Sequence, residues 1–153
     1  MDKDKTIGQV IGIYIQDKET RSNMLIEEGY FQEDKGLVGD IGSHKEHRQV
    51  SFFTSEGWGE ILSSSSNGLC IKKFHENIRI RNLKLNDIKT GSLIKVGRAI
   101  FQITEIGKRC FPECAMVKEG ITCPLSTQAM FAKVIKSGGV KVGDSLFVVN
   151  SNI

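Results

Sequence analysis

A chain of 153 residues has room for one domain, spanning 1–153, and no second independent core. Its 39% hydrophobic and 25% charged residues are those of a soluble globular protein. The formal net charge of +3 is small, and its cations are scattered among eighteen acids, which argues against a nucleic-acid binder. Sixteen glycines against two prolines favour short strands joined by tight turns over a helical bundle.

Met1 to Lys5 is charged, with no apolar stretch and small-residue cleavage site behind it, so no secretory signal is expected. No apolar run approaches the roughly 20 residues that cross a bilayer, and no membrane association is expected. These features predict a cytoplasmic protein. In a reducing compartment the four cysteines read as thiols rather than as a disulfide framework.

Ile7 to Ile15 alternates as a strand, with Ile7, Gln9, Ile11, Ile13 and Ile15 on one face. Met24 to Tyr30 reads as a second strand. Gly36 to His44 carries three glycines in its first seven residues and reads as irregular backbone. Gln49 to Ser55 alternates Val50, Phe52 and Thr54 against Ser51 and Phe53. Glu56 to Leu62 suggests one or two turns of helix, weakened by Gly57 and Gly59. Ser63 to Ser66 reads as a surface loop, and Leu69 to Phe74 as a short strand.

Ser92 to Val96 and Ala99 to Ile106 form a strand pair, with Gly97-Arg98 as a type II′ hairpin turn. Gly107 to Pro124 has no strand periodicity and holds three of the four cysteines and both prolines. Ala129 to Ile135 reads as a strand, turned by Gly138-Gly139 into a further strand over Val140 to Val149 that Gly143-Asp144 interrupts. Seven or eight short strands with little helix predict a mainly β fold, a barrel or sandwich. Lys72, Lys73, Arg79 and Arg81 read as solvated faces rather than a nucleic-acid surface.

Cys110 follows Lys108-Arg109, and two adjacent cations favour the thiolate, which is the nucleophile and the metal ligand. A thiolate accepts sulfur as a persulfide and passes it on, and it binds soft metals. Cys114 lies four residues on and Cys123 nine further, placing two more thiols within reach as resolving groups. The bland alternative for all three is packing. Cys70 stands apart in an apolar setting and reads as core. Zinc held by these thiols with His44, His47 or His75 is the less favoured metal reading, because only one close cysteine pair is present.

Five segments together resemble the MOSC family, the module found at the C-terminus of molybdenum cofactor sulfurases. They are Gly36-Leu37-Val38-Gly39-Asp40 with His47-Arg48-Gln49-Val50-Ser51 and Glu56; Phe74-His75-Glu76-Asn77-Ile78; Gly91 to Val96, Gly97 and the strand reaching Thr104; Cys110, Cys114 and Cys123 with Phe131-Ala132-Lys133-Val134; and Gly138-Gly139-Val140-Lys141-Val142-Gly143-Asp144. They occur in the family's order and cover the chain from about Ile7 to Phe147. The chain departs from the pattern at Gly42, where many relatives have histidine, and at Ser126, where small members tend to carry proline.

The resemblance implies a MOSC-type β-barrel with one or two short helices. It also implies a sulfur-carrier or molybdenum-cofactor-binding role, sulfur transferase-like, with Cys110 as persulfide carrier or metal ligand. In that frame Cys110, Cys114 and Cys123 are the catalytic candidates. His47, Arg48, Arg109 and Asn77 are the cofactor-binding candidates, Arg48 through forked hydrogen bonds to a molybdopterin phosphate. His47 suits proton movement, and Asn77 suits the blander task of capping backbone at a turn. The implied partner is a cysteine desulfurase or another molybdenum cofactor assembly enzyme; pyridoxal phosphate would sit on that partner, not here. The competing readings are a non-catalytic cofactor- or partner-binding module and a structural metal-binding domain.

Overall fold

The computed structural model describes residues 6–16, 23–40, 49–56, 76–84, 87–106 and 129–149. Eleven strands lie in these segments: β1 Thr6–Gln16, β2 Asn23–Ile26, β3 Glu28–Gln32, β4 Gly36–Leu37, β5 Val50–Thr54, β6 Ile78–Arg81, β7 Leu93–Val96, β8 Ala99–Ile106, β9 Met130–Lys136, β10 Gly138–Lys141 and β11 Ser145–Val148. Helix among the described residues is confined to Ser55–Glu56 and a single 3₁₀ position at Asp87. The expected helix over Glu56 to Leu62 therefore starts in place, and its remainder lies outside the described residues. No helix among the described residues is long and apolar enough to cross a membrane.

Seven strands close into a barrel in the order β11-β7-β8-β9-β5-β6-β1, with β1 pairing back onto β11. Every neighbouring pair is antiparallel except β5–β6, which is parallel. Closure leaves those strands without free edges, which removes the commonest route to edge-to-edge association. A smaller sheet in the order β10-β3-β4 packs beside the barrel. The mainly β expectation is met, and the architecture is a barrel rather than a sandwich.

The core fills the barrel with fully buried Ile7, Ile13, Phe52, Ile78, Ile80, Ile94, Phe101 and Ile103. Phe101 meets Phe52 edge-on at a centroid distance of 5.4 Å and Phe31 edge-on at 5.3 Å. Phe31 belongs to β3, so this trio fastens the small sheet to the barrel. Each ring removes enough apolar area from water for about 2–3 kcal/mol, and the edge-to-face contacts add about 0.5–1.5 kcal/mol per pair.

Three expectations need correction. The strict alternation expected along β1 breaks: Ile7, Val10 and Ile13 are in the core, whereas Ile11 is only partly buried. Register shifts between Thr6 and Gly8 against β11, and between Val10 and Gly12 against β6, are the cause. Each inserts an extra residue, twists the strand and reverses the phase of its faces. The single strand expected over Met24 to Tyr30 is two, β2 on the barrel and β3 in the small sheet. The break is at Glu27, whose carbonyl accepts a 3.0 Å bond from the Val142 amide.

Third, Gly138-Gly139 is not the turn after β9 but part of β10. Glycine is required at 138 by close approach: a Cβ there would stand 2.3 Å from the carbonyl carbon of Arg98. By contrast the β7–β8 turn is as expected. Val96 pairs with Ala99 across a two-residue loop, and Gly97 has φ +58° while Arg98 keeps negative φ. That combination fits glycine at the first position of a type II′ turn.

Candidate functional site

Strand directions divide the described anchors between two barrel rims. One rim carries the ends of β8 at Ile106, β5 at Thr54, β6 at Arg81 and β11 at Val148, with the starts of β9 at Met130, β7 at Leu93 and β1 at Thr6. The other carries the starts of β5 at Val50, β6 at Ile78 and β8 at Ala99, with the ends of β1 at Gln16, β7 at Val96 and β9 at Lys136. At a rise of about 3.3 Å per residue, a strand of β9's length separates the rims by roughly 20 Å.

Ile106 and Met130 are register partners in the β8–β9 ladder. The stretch between them, with Arg109, Cys110, Cys114 and Cys123, therefore departs and returns at neighbouring positions on the first rim. Those four residues lie outside the described residues, as do Cys70, His44, His47, Arg48 and His75. His47-Arg48 precedes β5, which starts at the second rim; Gln49 there accepts a 2.9 Å bond from the Val134 amide through Oε1. Val50 pairs with Ala132, two residues along β9 from Met130, so the start of β5 lies about 7 Å along the ladder from the anchors of the thiol segment, well short of the full separation of the rims. Among the described residues no three of His, Cys, Asp and Glu gather as a metal-binding group; every histidine and cysteine of the chain is outside them.

Asn77 is the one candidate within the described residues. It is 3% exposed and bridges three strands. Its Oδ1 accepts from the Ser51 amide at 3.0 Å and from the Ser51 hydroxyl at 3.3 Å, and its Nδ2 donates to the Tyr14 carbonyl at 3.4 Å. Its backbone continues the pattern, the amide donating to the Ser51 carbonyl and the carbonyl accepting from the Tyr14 amide, each at 2.8 Å. β6 begins at the next residue, between a parallel neighbour and an antiparallel one, where a regular ladder cannot satisfy every group. Asn77 satisfies them, which extends the backbone-capping role expected of it.

Beside it the buried carboxylate of Glu76 accepts from Arg79 Nε at 3.1 Å and from Nη2 at 3.4 Å. The Arg79 guanidinium lies 4.8 Å over the Tyr14 ring. Arg79 is therefore not simply solvated, as its sequence context suggested; it is half-buried between an acid and an aromatic face. Asp40, from the glycine-rich segment, is also buried, and its Oδ1 accepts from the Gln16 amide at 2.7 Å. This second rim is thus a polar, internally bonded collar.

The chain shares its fold with the YuaD protein from Bacillus subtilis. The two superpose with a TM-score of 0.68 over 97% of this chain and 98% of that one, at 19% sequence identity. YiiM from Escherichia coli superposes with a TM-score of 0.58 over 93% of this chain and 70% of its own, at 16% identity. YiiM from Geobacillus stearothermophilus does so at 0.55 over 99% and 77%, at 14% identity. No family model matches the sequence, and no curated protein matches it. These likenesses establish a common barrel architecture spanning nearly the whole chain.

Sequence reasoning missed a second feature. Lys95, Arg98, Lys136 and Lys141 line one surface groove of about 710 Å³ with Tyr30 and Ser137. The signal was in the strand pairing rather than in any local motif. Lys95 pairs with Ile100 across β7–β8, and Ile100 pairs with Lys136 across β8–β9. Residues forty-one apart in sequence thereby share one row on the outer face of the barrel.

Proposed function

We propose that this chain is a MOSC-type domain that carries sulfur on Cys110, in molybdenum cofactor or metal–sulfur assembly. One observation carries the reading furthest: the segment with three of the four cysteines is tied at both ends to a single barrel rim, through the Ile106–Met130 pairing. Exchange between thiols requires that they meet, and a segment whose two flanking residues are ladder partners has its ends brought together by the barrel. The five-segment resemblance supports the same reading, and the barrel shared with YuaD and YiiM supports the fold it requires.

The step is a transpersulfidation. The Cys110 thiolate, favoured by Lys108 and Arg109, attacks the outer sulfur of a donor persulfide. A bond forms between Cys110 Sγ and that sulfur, the donor's S–S bond breaks, and the donor thiolate leaves with the electron pair. Attack by the Cys114 or Cys123 thiolate on Cys110 Sγ would then give an intramolecular disulfide and release hydrosulfide. The donor is a cysteine desulfurase or another assembly enzyme. A thiolate is also a suitable donor for molybdenum, and Arg48 and Arg109 suit the phosphate of its pterin; bound there, the cofactor would supply the metal as sulfur acceptor.

The test is to load the full chain with a small-molecule persulfide and map the modified cysteine by mass spectrometry. Modification is expected at Cys110 and is expected to vanish in Cys110→Ser. A Cys110→Ser chain that takes up sulfur as well as the original overturns the mechanism.

A further inference from the structure

We propose that the groove between the β7–β8 turn and the small sheet is a binding site for a small organic phosphate that carries a planar ring. This goes beyond the sulfur-carrier reading, because the groove lies at the second rim, away from the anchors of the thiol segment.

Four cations line the groove against one carboxylate, Glu28. All four are exposed, and none has an ion-pair partner among the described residues. Glu28 faces Lys141 across the β3–β10 ladder without closing a salt bridge on it. Lys95 and Lys136 flank Ile100, two strand spacings or about 10 Å apart. Unpaired like charges held in one concavity repel one another, and a bound anion removes that cost.

Ser137 adds a short-range donor. Its Oγ accepts a 2.7 Å bond from the Glu33 amide, which fixes the oxygen. Among the described residues no acceptor takes its proton, which leaves the hydroxyl available to donate to a ligand in the groove. Gly97, Gly138 and Gly139 complete the lining; of these, Gly97 and Gly138 are packed against Asp144 and Arg98, and Gly139 is the less crowded. Arg98 presents the planar fork that matches phosphate oxygens. At the groove's side Tyr30 is 53% exposed, offering a ring face.

The volume of about 710 Å³ is that of a site for a nucleotide-sized molecule. A nucleic-acid track needs successive stacking aromatics along a basic channel, and Tyr30 is the one aromatic residue lining this groove. An acidic protein face would need the cations but not the Ser137 hydroxyl or the Tyr30 ring beside them.

The experiment is calorimetric titration of the full chain with inorganic pyrophosphate and with adenosine diphosphate, repeated for Arg98→Gln/Lys136→Gln and for Tyr30→Ala. Both side-chain sets are exposed, and circular dichroism checks that each variant folds. The original chain is expected to bind both probes saturably. The double variant is expected to weaken both at least about tenfold, and Tyr30→Ala to weaken adenosine diphosphate severalfold while leaving pyrophosphate unchanged. Failure of both probes to saturate by about 1 mM overturns the site, as does undiminished binding by the double variant. Displacement of adenosine diphosphate by a glutamate-rich peptide or an oligonucleotide at lower concentration also overturns it, in favour of a macromolecular partner. Tyr30→Ala acting equally on both probes overturns the ring assignment.

Discussion

The backbone of Gly138 lies so close to Arg98 that a Cβ at 138 would stand 2.4 Å from the Arg98 carbonyl oxygen. β10 is thereby pressed against the β7–β8 turn, and the Arg98 amide completes the contact with a 3.0 Å bond to the Gly139 carbonyl. Because the obstacle is backbone rather than a flexible side chain, Gly138→Ala is expected to destabilise the fold by about 2–3 kcal/mol through overpacking. At Gly139 the nearest atom is the mobile Glu28 Oε2 at 3.3 Å, so Gly139→Ala is expected to cost well under half as much. Urea denaturation of both variants checks the ordering; equal losses would show that the close approach is not what demands glycine.

A second expectation concerns the aromatic trio. Phe31 belongs to the small sheet, and its 5.3 Å edge-on contact with Phe101 is the aromatic link between that sheet and the barrel. Phe31→Ala and Phe101→Ala are each expected to cost about 3–5 kcal/mol. Being in contact, they should not add: the double variant is expected to lose at least about 0.5 kcal/mol less than the sum. Strict additivity in thermal or urea unfolding would mean that the sheets are held together elsewhere.

Much of the fold was legible because local pattern and turn chemistry agreed. β7 and β8 follow from two alternating runs around Gly97-Arg98, and β9 and β11 from apolar runs of strand length. The bulges in β1 were hidden, because a bulge breaks the phase of alternation while leaving apolar residues at both phases. The split of Met24 to Tyr30 was hidden too, since Glu27 is an ordinary strand residue whose carbonyl is claimed by Val142 from a hundred residues away. Of the candidate site, Asn77 was legible as a backbone-capping residue, but not its partners. The cationic groove could not be read at all. Lys95 and Lys136 come together only through their shared neighbour Ile100, a product of register rather than of sequence proximity.

The Asn77 amide is the clip among β1, β5 and β6. Asn77→Ala removes the acceptor of the buried Ser51 amide and the donor to Tyr14. Leaving such groups unpaired in the interior costs about 1–3 kcal/mol each, so a loss of roughly 2–4 kcal/mol is expected. Ser51→Ala removes only the hydroxyl partner and is expected to cost about 1 kcal/mol. Amide hydrogen exchange gives the local check: the Ser51 amide is expected to lose protection in Asn77→Ala and to keep it in Ser51→Ala. Retained protection in Asn77→Ala would remove the clip.

The Glu76–Arg79 pair invites the subtler test, because Arg79 also lies over Tyr14. Glu76 has a side-chain exposure of 7% and Arg79 of 28%, so the pair is neither a screened surface bridge nor a fully desolvated one. Arg79→Lys keeps the charge but loses the fork and the stacking plane, and a cost of about 1 kcal/mol is expected. Tyr14→Leu keeps apolar bulk and removes the ring face, which at a partly buried position contributes about 0.5–1 kcal/mol. If the ring and the carboxylate act together on one guanidinium, Tyr14→Leu should cost less in an Arg79→Lys background than in the original. A double-mutant cycle from urea denaturation measures this directly. A coupling energy indistinguishable from zero would reduce the stacked arrangement to proximity without consequence, leaving the Glu76 carboxylate to hold the guanidinium without help from the ring.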